Sequence, residues 1–130
     1  MRRLIAALFT AGLCGWGTAG LMPASAVAGE ADVVDARVTR QSDGTYSFEV
    51  SVRHDDTGWD HYADAWQVVG PDGTVLATRV LLHPHETEQP FTRSLVGAAI
   101  PEGIRAVTLR AHDKVHGYGG ITVEVELPGR

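Results

Sequence analysis

Eight residues, YSFEVSVR (46–53), put Tyr46, Phe48, Val50 and Val52 on one parity and Ser47, Glu49, Ser51 and Arg53 on the other. Successive side chains of an extended strand point to opposite faces, so this run predicts a strand with one apolar and one polar face. The theme recurs along the chain. VVDARVTR (33–40) sets Val34, Ala36 and Val38 against Asp35, Arg37 and Thr39, and ADAWQVVG (63–70) carries Trp66 and Val68 on one side. TVLATRVLL (74–82), PFTRSLV (90–96), IRAVTLRAH (104–112) and GITVEVEL (120–127) complete a set of seven. Gly, Pro and Asp punctuate the gaps between the runs. None of these stretches has the i, i+3, i+4 apolar spacing of an amphipathic helix.

Seven short strands in roughly 100 residues predict an all-β fold, a seven-stranded antiparallel β-sandwich of immunoglobulin-like type. Trp66, on the third strand, is then expected as a large residue at the centre of the core rather than a ligand contact.

The first 28 residues have a different character. Arg2 and Arg3 precede the apolar, Gly-interrupted run LIAALFTAGLCGWGTAGL, and ASA (24–26) or AVA (26–28) follows with small residues. That order is the order of a cleaved signal peptide. The expected organisation is a signal over 1–28 and one domain over 29–130, exported to the periplasm or secreted. Cys14, the only cysteine, lies inside the signal. Leu13 before it fits a lipid-attachment site poorly, so no membrane anchor is expected after cleavage. Thiol catalysis, disulfide cross-links and thiolate metal sites are then excluded from the domain. Loss of Arg2 and Arg3 takes the formal charge from −5 to −7, which argues against nucleic acid as a partner.

In an antiparallel sandwich every second connection lies at the same end. SDGT (42–45), GPDGT (70–74) and AAIPEGI (98–104) carry ordinary tight-turn chemistry. HDDTGWDHY (54–62), HPHETEQP (83–90) and HDKVHGYGG (112–120) are longer and hold His54, His61, His83, His85, His112 and His116, all the histidines of the chain. Long connections gathered on a rigid scaffold commonly carry binding function.

Imidazole is the usual protein ligand for Zn, Cu(II), Ni and Fe, and carboxylates often complete such sites. The expected ligands are therefore His54, His61, His112 and His116, with His83 or His85 as a further donor. An extended HPH would hold its two rings about 7 Å apart, too far for both to share one ion easily. Asp64 shares the parity of Trp66 and is expected behind a ligand histidine, as is Asp113. Clustered histidines also allow a second chemistry, a change of charge near pH 6.5 that would alter partner binding. No serine stands in a nucleophile-elbow context, and an enzyme is not the expected reading.

LLHPHETEQPF (81–91) followed by IPEG (100–103) resembles the corresponding stretch of SoxZ, the immunoglobulin-like subunit of a thiosulfate-oxidation carrier complex. VRHDDTGWD (52–60) is similar to the histidine-containing loop of that subunit. The resemblance extends to the iron domain of desulfoferrodoxin and superoxide reductase, where histidines on the second and sixth connections hold the metal with a cysteine. His54, His61 and the segment HDKVHG (112–117) occupy comparable places, while His112 and Asp113 stand nearest the position of that cysteine. The resemblance implies the sandwich fold, a periplasmic setting and, as an alternative to metal binding, a non-catalytic carrier that binds a protein partner.

Overall fold

The computed structural model describes residues 29–130, so the expected signal and Cys14 lie outside the described residues. Seven strands follow in order: β1 (Asp32–Arg40), β2 (Tyr46–Arg53), β3 (Ala63–Val69), β4 (Val75–Val80), β5 (Phe91–Ala98), β6 (Ala106–Asp113) and β7 (Val123–Glu126). Each falls on one of the seven expected runs. They form two antiparallel sheets, β1-β2-β5 and β4-β3-β6-β7. Among the described residues no helix is long and apolar enough to cross a membrane.

The core is made by the inward parities of both sheets. Tyr46, Phe48, Val50 and Val52 of β2 are fully buried, and so are Trp66 and Val68 of β3 and Leu109 of β6. Burying each such side chain contributes about 1.5–3 kcal/mol relative to leaving it in water. Trp66 therefore has the central place its position on the third run predicted.

Register shifts break the alternation at four points, and two of them turn residues away from their expected faces. In β1 the pairing with β2 shifts register between Val33 and Asp35, so Val33 is fully buried while Val34 is exposed. The expected inward Val34 is corrected to Val33, with Ala36 and Val38 partly buried behind it. In β3 the pairing with β6 shifts between Ala63 and Ala65, which leaves Asp64 without an inward place. An extra residue in one strand flips the faces of what precedes it. The expectation that Asp64 points inward with Trp66 fails for that reason.

The connections that follow β2, β4 and β6 meet at one end of the molecule. The amide of His85 donates to Asp56, and the amide of Lys114 donates to the carbonyl of Tyr62. The start of β1 reaches the same end, where the Val33 amide donates to the Ile121 carbonyl. Gly120 permits that crossing, because a Cβ there would stand 2.0 Å from the carbonyl oxygen of Ala31.

Candidate metal centre

The inward row of β2 ends in Val52 and continues one step past the strand to His54, which is buried. The inward row of β6 runs Val107, Leu109, Ala111 and Asp113, all buried. One row belongs to each sheet, so His54 and Asp113 close the core from opposite layers. The chain after His54 then doubles back. The Thr57 amide donates to the His61 carbonyl and the His61 amide to the Gly58 carbonyl, at 3.0 and 3.2 Å. Gly58 adopts φ 134°, a conformation that favours glycine. This turn carries the His61 ring to the ring of His54, with centroids 4.7 Å apart.

Three donor atoms converge there. His54 Nε2 stands 3.2 Å from His61 Nε2, which stands 3.1 Å from Asp113 Oδ1. Ligand atoms of His54, His61 and Asp113 all lie within 4.8 Å of one another. Nitrogen and oxygen ligands at about 2.0–2.1 Å from a tetrahedral ion stand about 3.3 Å apart, close to the spacing of His61 Nε2 from each of its two neighbours. This group can hold a metal ion.

Asp113 is prepared as an anion. Burial pushes its carboxyl pKa up, but the amides of His116 and Val115 and the His116 ring together outweigh that and hold it below the usual value. The amides lie 2.8 and 2.9 Å from Oδ1, and His116 Nδ1 lies 3.1 Å from the same atom. Oδ2 is buried and has no hydrogen-bond partner in the protein. A buried carboxylate oxygen left unpaired is costly, and a cation reached by Oδ2 as well as Oδ1 would remove that cost. The donor set therefore fits a divalent cation on its own geometry. His116 stands beside the group, its Nδ1 against Asp113 Oδ1, its ring centroid 5.1 Å from that of His61 and its side chain 29% exposed.

Asp113, expected behind a ligand, thus presents its own oxygen to the group. The remaining histidines stand elsewhere. His112 belongs to β6 rather than to a connection, so its side chain points opposite to Asp113, onto the outer face of the four-stranded sheet. There its Nδ1 meets Asp64 Oδ1 at 2.5 Å, and its ring lies 4.7 Å from that of Tyr118. Asp64 does support a histidine, though one outside the three-donor group. His83 is exposed, its Nδ1 donating to the Pro84 carbonyl at 3.1 Å. The His85 ring stacks on Phe91 at 3.9 Å, and Arg93 donates to its Nε2 at 2.8 Å. HPH is not extended here, and its two rings come within 4.5 Å of each other without joining the group. Burial, then the Arg93 charge, holds the pKa of His85 below its ordinary value.

One residue had no role in the sequence reading beyond general acidity. Asp56 is buried, and its Oδ1 lies 2.5 Å from His54 Nδ1. Nothing in the run HDD distinguishes it from Asp55. The available signal is only that a carboxylate two residues past a strand-end histidine can fold back onto it.

No family model matches the chain, and no solved structure matches it. The likeness to SoxZ and desulfoferrodoxin therefore stays with the short motifs that suggested it. A curated protein of Halomicrobium mukohataei, named "Putative lipoprotein", is 50% identical over 99 residues, which is 75% of this chain and 47% of that protein. The chain thus spans about half the length of the curated relative it matches. The chain is exported, in keeping with the name of that relative. The relative's name also runs against the expected absence of a lipid anchor, a matter that turns on Cys14, outside the described residues.

Proposed function

We propose that this exported chain is a metal-binding sandwich of immunoglobulin-like type, holding one divalent transition-metal ion between His54, His61 and Asp113, with His116 beside the group. Zn, Cu(II), Ni and Fe all accept imidazole nitrogen with carboxylate oxygen, and the absence of sulfur donors from residues 29–130 disfavours Cu(I). The observation that carries the reading is the convergence of two imidazole Nε2 atoms and a buried carboxylate within 4.8 Å of one another, with His61 Nε2 3.1–3.2 Å from both neighbours. Strand order supports the immunoglobulin-like assignment, since the chain passes between sheets after β2, β4 and β5 and returns in hairpins elsewhere.

Untagged protein, stripped with chelator and titrated with Zn, Cu(II) and Ni by calorimetry, tests the reading. One ion per chain at micromolar or tighter affinity is expected, lost together in His54→Ala and His61→Ala. If the stripped wild type takes up none of the three below millimolar concentration, the reading fails.

A further inference from the structure

We propose that Asp56 is the positioning residue of this centre: it fixes which nitrogen of His54 faces the ion and ties that choice to the connection between β4 and β5. The proposal rests on the metal reading above, but the tautomer it assigns to His54 can be measured without any metal.

An imidazole binds a metal only through a nitrogen that carries no proton, so a buried ligand histidine needs its tautomer set by a neighbour. The His54 side chain is 0% exposed, which leaves water no part in that choice. Its hydrogen-bonding neighbours are Asp56 Oδ1 on Nδ1, at 2.5 Å, and His61 Nε2 on Nε2, at 3.2 Å. A carboxylate oxygen accepts, so Nδ1 is the protonated nitrogen. Nε2 then turns its lone pair toward His61 and Asp113.

Asp56 can set the ring because it is itself held from two directions. Oδ1 also accepts the amide of Ala63, the first residue of β3, at 3.0 Å. Oδ2 accepts the amide of His85 at 2.7 Å. The β4–β5 connection grips His54 a second time through Gln89. Its Oε1 accepts the His54 amide at 3.0 Å, while its Nε2 donates to the His85 carbonyl at 2.9 Å. His85 is in turn fixed by Phe91 and Arg93.

This connection therefore supports the centre without supplying a ligand. It holds His54 by the backbone through Gln89 and by the ring through Asp56. An ion on Nε2 draws electron density from the ring and makes Nδ1–H a stronger donor, so metal binding tightens the Asp56 contact. Through Oδ2 that tightening reaches the His85 amide. Metal loading and docking of the 81–90 segment then favour each other, and linkage makes that coupling equal in both directions.

The test uses the full protein as it is purified, labelled with ¹⁵N in its imidazole rings. In metal-free wild type, the His54 shifts should report Nδ1 protonated and Nε2 bare. Asp56→Asn should change that tautomer pattern and weaken Zn affinity by about 10- to 100-fold, the usual effect of removing the partner of a ligand histidine. Asp64→Asn, the matching change at His112, should leave both quantities of His54 unchanged. Zn should slow hydrogen exchange of the His85 amide in wild type and lose that effect in Asp56→Asn.

A wild-type spectrum with His54 protonated on Nε2 overturns the proposal, and needs no variant to fold. So does a folded Asp56→Asn protein with unaltered tautomer and Zn affinity. A wild type with Nδ1 protonated that binds no Zn removes the metal reading, while leaving Asp56 as the group that sets the ring.

Discussion

Two histidines of this chain each hold a carboxylate on Nδ1 at 2.5 Å, and their surroundings could hardly differ more. The His54 and Asp56 side chains are both 0% exposed, whereas those of His112 and Asp64 are 30% and 25% exposed. At His54 the second nitrogen faces two further donors. At His112 the ring lies against Tyr118, over which Arg110 sits at 4.1 Å. A histidine backed by a carboxylate is thus only half of a ligand. The other half is the face on which the strand leaves it. The inward parity of β2 runs out at His54, while the outward parity of β6 passes through His112 and gives the inward place to Asp113.

The largest difference between the two pairs should appear in stability. Asp56→Ala strips a buried histidine and two amides of their acceptor, at about 1–3 kcal/mol for each donor left unsatisfied. Asp64→Ala breaks a solvent-screened pair and should cost under about 1 kcal/mol. Urea denaturation of the metal-free proteins measures both, and equal losses would erase the distinction drawn here.

Metal affinity comes next. His54→Ala should weaken Zn binding by at least about 100-fold, since it removes a ligand rather than a ligand's partner. His112→Ala should stay within about twofold of wild type. Calorimetric titration decides, and a large loss in the His112 variant would mean that the outer face, not the closed end of the core, carries the ion.

The smallest effect sharpens the comparison from the side of Asp56. His85 has a folded pKa below its ordinary value of 6.5, from burial first and then the Arg93 charge, so folding favours its neutral form. That contribution is complete above about pH 6.5 and is lost as pH falls from there through the lower folded value. A metal-free His85→Gln protein should therefore lose less stability than wild type between pH 7 and pH 5. Parallel pH profiles from denaturant melts would show that His85 does not titrate against the fold.

Most of the scaffold was legible because a pleated strand has a period of exactly two residues, and one buried face writes that period into the chain. YSFEVSVR shows it without a break, and all four of its apolar residues are buried. What escaped was the bulges. Nothing in VVDARV marks Val34 as the residue that leaves the alternation, and nothing in ADAW marks Asp64. The end of the molecule that carries the histidines was legible too, since it depends only on counting strand reversals. Which histidines converge was not. That depends on β6 running on through Asp113, on the backward turn at Gly58 and on the pinning of His85, none of which has a signature in residue types alone.

The last residues of two inward rows, one from each layer, lie side by side at the rim of a domain that has no sulfur to cross-link it. An ion seated on His54 and Asp113 would rivet layer to layer where a covalent bridge is missing. Unfolding would then have to release the ion, so the melting temperature of the loaded protein should climb with free metal concentration.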